Sequence, residues 1–143
     1  MPEERLPAFE TTEHTADIGL VARGATLEEL FANAARGMFA IIAGAVEVPP
    51  VLRREIAVEA PDLETLLVAW LNELLFRFET ERVLFGEFRV QELEERRLRG
   101  EAAGAPLEDV GAPLEMELKA ATYHDLSIKR TPTGFEARVL FDA

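Results

Sequence analysis

Cysteine is absent from the 143 residues, which excludes disulfide bonds, cysteine zinc sites and thiol nucleophiles. Histidine occurs only twice, so a three-histidine zinc site is excluded, although two histidines and one carboxylate would satisfy a zinc count. No glycine-rich phosphate-binding loop follows a predicted strand. The one serine, Ser127, lacks the elbow motif of serine hydrolases. We therefore expect a protein that is not itself an enzyme.

Long apolar runs are also missing. Residues 1–10 have no apolar core of the kind that a signal peptide needs, and no segment approaches the ~18 apolar residues of a membrane span. We expect no membrane association and a cytoplasmic location. The length and the hydrophobic content of 48% suit a single domain, residues 1–143, built around one core.

Positive charge is scarce, with 15 basic residues against 27 acidic ones and a formal net charge of −12. This balance opposes direct binding to the phosphate backbone of a nucleic acid. The only close basic cluster, Arg96, Arg97 and Arg99, is flanked by glutamates. We expect no strong direct nucleic-acid binding, and an acidic surface that favours cations or a basic partner.

The first half of the chain predicts two units, each a strand followed by a helix. In the first unit, residues 17–23 alternate between apolar and polar side chains, which is typical of a half-buried strand. Thr26 and Glu29 form a capping-box signature at the start of a helix. Its apolar residues recur at steps of three and four, and it ends near Gly44.

The second unit repeats this order. Residues 53–59 alternate, and Pro61 with Asp62 suits a helix start, where the helix dipole favours an acidic side chain. Apolar side chains then recur at helical spacing from Leu63 to Phe78. Burying each of them contributes roughly 1.5–3 kcal/mol, so we expect this helix at the centre of the core.

The second half is rich in strand signals. Gly86 suits a β-bulge, and residues 102–113 are rich in glycine, alanine and proline, which predicts a loop. The predicted strands are residues 83–90, 94–101, 115–120 and the two that flank a turn at residues 131–134. This order predicts an α+β fold of two layers, with two helices packed on one face of a mostly antiparallel sheet.

Carboxylates at the two ends of the chain form a first candidate site. Asp17 follows His14 at the start of the first predicted strand, and Asp142 precedes the last residue, Ala143. Hard cations prefer carboxylate and carbonyl oxygens, which two strand ends meeting at a sheet edge would supply. The alternative is a capping Asp17 and a solvated Asp142. Spacing alone favours that alternative, because neither residue belongs to a local metal motif.

Lys119, Tyr123 and His124 form a second candidate group. On an unbroken strand, Lys119 and Tyr123 would share one face while His124 points the other way. The lysine could pair with a carboxylate or with a partner's phosphate, and the histidine could be a base or a ligand. The alternative is a salt-bridged lysine and a hydrogen-bonded histidine at a strand end, which spacing alone favours.

Six sequence blocks together resemble the archease family. They occur in the family's order and span nearly the whole chain, which makes the set far more specific than any one block. The blocks are residues 14–19 (HTADIG), 24–31 (GATLEELF), 34–39 (AARGMF), 70–76 (WLNELLF), 119–124 (KAATYH) and 137–142 (ARVLFD).

The resemblance implies a function. Archeases are protein cofactors of RtcB-type RNA ligases, which join tRNA halves in tRNA splicing and repair broken RNA. They promote guanylylation of the ligase by GTP and a divalent metal, and they allow multiple turnover. Members have also been linked to a tRNA cytosine-5 methyltransferase as chaperone-like modulators. A stand-alone metal-dependent hydrolase is a third alternative, which predicts turnover without a ligase.

The resemblance also implies a site. The family's essential acidic residues fall on Asp17 and Asp142, which with Ala143 are expected to hold a divalent cation. Calcium is the expected ion, with magnesium and manganese as alternatives. Asp125, which follows the last motif histidine, departs slightly from the usual small or apolar residue there. The expected neighbours of the site are His14, Lys119 and His124.

Overall fold

A computed structural model describes residues 6–13, 17–111 and 113–143 of the chain. Within those residues, no helix is apolar over enough of its length to cross a lipid bilayer. The elements in chain order are β1 (Phe9–Glu13), β2 (Asp17–Gly24), α1 (Leu27–Ala43), β3 (Leu52–Glu59), α2 (Leu63–Glu81), β4 (Val83–Glu94), β5 (Arg97–Pro106), α3 (Leu107–Val110), β6 (Ala120–Ala121), β7 (Ser127–Thr131) and β8 (Gly134–Asp142).

The strands form two sheets in which every described pairing is antiparallel. In the five-stranded sheet, β1 pairs with β2, β2 with β8, and the far edge of β8 with both β7 and β6. The three-stranded sheet has the order β3-β5-β4. The predicted α+β class and antiparallel pairing are confirmed. The division of the strands between two sheets was not predicted.

The two long helices join the sheets through one hydrophobic core. Helix α1 packs on β2 of the larger sheet and on β4 of the smaller one, and α2 packs on β3 and on β6 and β7. Phe39 of α1 lies edge-on to Phe78 of α2 and Phe85 of β4, with ring centroids 5.9 and 5.8 Å away. The fully buried Trp70 donates its indole N–H to the carbonyl of Phe31, 3.0 Å away.

Both helix starts have the caps that the sequence predicts. The Thr26 hydroxyl accepts the Glu29 N–H at 3.1 Å, while the Glu29 carboxylate accepts the N–H of Ala25, one residue before the cap, at 3.2 Å. The Asp62 carboxylate accepts the Thr65 N–H at 2.8 Å, and this bond lowers the pKa of Asp62. Each cap satisfies a backbone donor that has no partner within the helix.

The prediction of a loop at residues 102–113 is wrong for most of that segment, because residues 102–106 belong to β5, the central strand of its sheet, and residues 107–110 form α3. Small residues are needed there for close approach. A Cβ on Gly100 would lie 3.2 Å from ring atoms of Trp70, and one on Gly104 would overlap the Leu84 carbonyl. Glycine and alanine thus serve packing in this strand and do not signal a loop.

Other strand predictions have mixed outcomes. A register shift between Phe85 and Glu87 confirms the bulge at Gly86, and β7 and β8 flank the predicted turn. The strand predicted over residues 115–120 is wrong except for its last residue. The N–H groups of Glu115 and Met116 both bond the Ile42 carbonyl at the end of α1, so this stretch follows the helix end instead of a strand. Strand β1 was not predicted.

Replacing Gly104 tests the close approach of β5 to β4. We expect Gly104→Ala to lower the free energy of unfolding by about 2 kcal/mol or more, because the added methyl group overlaps backbone atoms. Gly111→Ala is the control, since Gly111 has open space around it and only a left-handed φ of +70°, which costs about 1 kcal/mol. Urea denaturation measures both, and equal losses would contradict this account of β5.

A chain of ion pairs ties the end of α2 to β3. Glu81 accepts from Arg54 of β3 at 2.6 Å and from Arg77 at 3.3 Å, and Arg77 also donates to Glu73 at 2.8 Å. The hydrogen bond from Arg54 is the main cause that lowers the pKa of Glu81. The stabilisation is therefore present above the ordinary carboxyl pKa of 4.5 and is lost as the pH falls through the lowered pKa.

We expect Glu81→Gln to lower the free energy of unfolding at pH 7 by about 0.2–1 kcal/mol, since these charges are partly solvated. The variant should also lose less stability than the wild type as the pH is lowered from about 5, because it lacks the carboxylate whose pKa is lowered by Arg54. Glu79→Gln, on the same exposed turn but outside this ion-pair chain, is the control. Parallel pH profiles for Glu81→Gln and the wild type would refute the role of Glu81.

Candidate functional site

The pairing of β2 with β8 brings Asp17 and Asp142 side by side. The two residues are direct partners in the antiparallel ladder. Leu20 and Phe141 on these strands point into the core with the helices, and side chains alternate along a strand. Asp17 and Asp142 therefore both lie on the face that is turned away from the helices. Directly opposed residues have Cβ atoms roughly 4.5–5.5 Å apart, so the two carboxylates share one local environment.

Their negative charge has no arginine, lysine or histidine ion-pair partner among the described residues. Asp17 is half-buried, whereas Asp142 and Ala143 are exposed. The arginine on β2, Arg23, is six residues from Asp17, roughly 20 Å along the strand, and pairs instead with Glu10 and Glu136. At that distance salt screens its charge from the aspartates.

A third strand completes this edge of the sheet. Ala120 of β6 is the partner of Asp142 on the side opposite Asp17. The main-chain N–H of Lys119 donates to the Asp142 carbonyl at 2.8 Å. This bond places the main chain of Lys119 beside Asp142, and the lysine side chain is exposed.

Asn72 of α2 is a contact of this edge that sequence reasoning missed. Its Nδ2 donates to the Ala121 carbonyl at 3.1 Å, and its Oδ1 accepts the Ala121 N–H at 2.7 Å. The sequence did contain a sign of this contact, because Asn72 is an amide among the apolar side chains of the second predicted helix, between Leu71 and Leu74. Such a residue is satisfied only by a specific polar partner.

Of the two histidines predicted as neighbours of the site, the structure describes only His124. His14 lies outside the described residues. Strand β6 ends at Ala121, so the prediction that Lys119 and Tyr123 share a strand face is wrong. His124 lies in the exposed turn that follows, with its Nε2 3.5 Å from the Asp125 carboxylate. Asp125 has a left-handed φ of +53°, which turns the chain toward β7.

The donors at the aspartate pair suit a hard divalent cation. Within residues 6–13, 17–111 and 113–143, no group of three or more histidine, aspartate or glutamate side chains gathers around one point. The donors available are the carboxylates of Asp17 and Asp142 and the main-chain oxygen of Ala143. All are oxygens, which suit calcium, magnesium or manganese. They fill only part of a six- to eight-fold coordination sphere, so other positions stay open to water or to a partner's ligands.

An apolar cavity of about 430 Å³ lies elsewhere in the molecule. It is partly open to solvent and lies between Phe9 of β1, helix α1, the chain that follows α1, and β4, with Phe39, Val48 and Phe88 among its lining residues. Arg36 is its charged lining residue, and its guanidinium bonds the Asn33 side chain. The cavity shares no lining residue with the aspartate pair, so we treat the two as separate features.

Comparisons with known proteins agree on one family. A family model described as the archease protein family matches residues 9–143. The protein archease of Methanosarcina acetivorans is 41% identical over 138 residues, which are 94% of this chain and 94% of that protein. The protein archease of Pyrococcus furiosus is 39% identical over 130 residues, which are 88% of this chain and 91% of that protein.

Solved structures show the same fold. The solution structure of protein 1598 of Methanobacterium thermoautotrophicum has a TM-score of 0.73 and 36% identity, and the match covers 95% of this chain and 99% of that one. The crystal structure of an archease from Thermotoga maritima, described as a possible chaperone, has a TM-score of 0.64 and 22% identity over the full length of both chains.

Removing one charge of the aspartate pair tests its repulsion. Opposed like charges destabilise a sheet, so in chelator we expect Asp17→Asn to raise the free energy of unfolding by about 0.2–1 kcal/mol. Added calcium should raise the unfolding midpoint of the wild type and leave that of the variant unchanged.

Glu55→Gln is the matched control, because Glu55 directly opposes Glu101 across β3 and β5, but there Arg53, 2.7 Å from Glu101, offsets the repulsion. Denaturation with and without calcium measures all three proteins. A calcium response of Asp17→Asn equal to that of the wild type would argue against the pair as a cation site.

Proposed function

The chain belongs to the archease family, and from that membership we propose that it is a non-catalytic activator of an RtcB-type RNA ligase in tRNA splicing and RNA repair. The observation that carries the proposal is the direct pairing of Asp17 with Asp142 at an exposed sheet edge. The two aspartates occupy the positions at which the family resemblance implies essential acidic residues. Their oxygens, with that of Ala143, are the proposed ligands of a divalent cation, calcium first and magnesium or manganese as alternatives.

The incomplete ligand set suits a site that works together with a partner. A bound divalent cation supplies the positive charge that phosphoryl-group chemistry with GTP requires. The carboxylate of Asp17 belongs to a half-buried residue, while the carboxylate of Asp142 and the main-chain oxygen of Ala143 belong to exposed residues. Lys119 stands at the same edge, where its ammonium group is available to a phosphate or a carboxylate of the ligase.

The overall charge supports a scheme in which the ligase and this chain have different roles. A net charge of −12 opposes binding of RNA by this chain, so in the proposal the ligase holds the RNA. The same field favours approach to a basic surface. The scheme leaves both RNA contact and bond formation to the ligase, and this chain supplies the acidic edge and the cation that it holds.

The test is a time course of ligase guanylylation and RNA joining with the cognate ligase, with and without this protein, in metal-free and calcium-loaded samples. We expect the wild type to stimulate both steps. Asp17→Asn and Asp142→Asn should each lower the stimulation by about tenfold or more, because each removes a carboxylate ligand. The circular dichroism of both variants should match that of the wild type.

Asp125→Asn is the control, since it removes one exposed acid after β6 without touching the pair. Full stimulation by Asp17→Asn or Asp142→Asn would refute the proposed site. Stimulation that falls equally in all three variants would favour dependence on surface charge, as expected of a chaperone-like modulator of a tRNA methyltransferase. Turnover by the purified protein without a ligase would favour the hydrolase alternative.

A further inference from the structure

The edge strand β6 has one side that no other described strand covers. In an antiparallel ladder, the polar groups of successive residues point alternately to the two sides of the strand. The N–H of Thr122 points toward β8, where it bonds the Leu140 carbonyl at 2.9 Å, so the neighbouring Ala121 points to the other side. Earlier in the segment, the N–H of Lys119 also bonds a carbonyl of β8, that of Asp142. The N–H and carbonyl of Ala121 bond the side chain of Asn72. The amide of Asn72 thus takes the place of a further strand.

We infer that Asn72 is the positioning residue of the aspartate site. By bonding both polar groups of Ala121, it holds the segment from Lys119 to Ala121 against β8 and so keeps Asp142 opposite Asp17. This inference rests on the proposed function, because it concerns the cation site assigned there.

Asn72 lies on a helix that the core holds in place. Its neighbours Leu71 and Leu74 on α2 are fully buried, so the helix and its amide are fixed by the core. Strand β6 comprises only two residues, and Asp142 is the last residue of β8. A short strand that pairs with a strand end has few bonds of its own, and side chains presented from a rigid helix hold a site more accurately than a free loop does.

The chemistry of the contact favours an amide. Asparagine both donates and accepts, whereas an ionised aspartate only accepts and a leucine does neither. Asn72→Asp keeps the bond from the Ala121 N–H and sets a negative oxygen against the Ala121 carbonyl. Asn72→Leu has a similar size and loses both bonds.

The experiment compares Asn72→Leu with a matched control, Asn33→Leu. Asn33 of α1 also donates its amide to a main-chain carbonyl of the larger sheet, that of Arg23 at 2.7 Å, but at the other end of β2 from Asp17. Two quantities are measured for each protein: hydrogen exchange of the Lys119 amide by NMR, and the dissociation constants of calcium and manganese by calorimetry.

We expect Asn72→Leu to speed exchange at Lys119 and to raise both dissociation constants, each by roughly tenfold, the scale found for groups that orient metal ligands. Asn33→Leu should leave both quantities within about twofold of the wild type even where it lowers the melting temperature, because it lies far from the pair. Asn72→Asp should fall between the wild type and Asn72→Leu, and it replaces Asn72→Leu if that variant does not fold.

Unchanged exchange at Lys119 in the Asn72 variants would overturn the inference. Equal changes in Asn33→Leu would overturn it too, since they would reflect general loss of stability. If the wild type binds neither ion, the proposed cation site fails separately. Faster exchange confined to the Asn72 variants would then still support the positioning of this edge.

Discussion

The register of β2 against β8 is the constraint on which the site depends. Leu20 and Phe141 must face the helices, and burying each contributes roughly 1.5–3 kcal/mol. Because side chains alternate, that burial obliges Asp17 and Asp142 to face outward as direct partners. A shift of one residue in β8 would expose Phe141 and turn Asp142 toward the core. The free energy that folds the larger sheet therefore also aligns the two carboxylates, although they are 125 positions apart in the sequence.

Local signals predicted the parts of this fold that local chemistry decides. Helices α1 and α2 and strand β2 were predicted from caps and from apolar spacing, as the bond between Thr26 and Glu29 illustrates. Contacts between distant segments were not predictable in this way. Gly104 looked like a loop residue because the backbone of β4, whose close approach requires a glycine there, is remote in sequence. The aspartate pair came from the family resemblance, and Asn72 was missed because its partner lies 49 positions away.

Helix α2 connects the stability of the core to the geometry of the site. Trp70 bonds the Phe31 carbonyl and so joins α2 to α1, while Asn72, two residues later, bonds β6. The helix therefore presents one polar contact toward the interior and another toward the sheet edge. A shift of α2 along its axis would strain both contacts at once. The position of β6 beside Asp142 therefore depends on the packing of α2 in the core.

A second acidic pair shows why the aspartates differ from ordinary surface charge. Glu55 and Glu101 also oppose each other across two strands, but Arg53 lies 2.7 Å from Glu101 and offsets that repulsion. Among the described ion pairs, none offsets the repulsion between Asp17 and Asp142. Opposed like charges cost about 0.2–1 kcal/mol, and folding alone gains nothing from keeping them unpaired. A cation from outside the chain would offset this cost, which favours a binding role for the aspartates over a structural one.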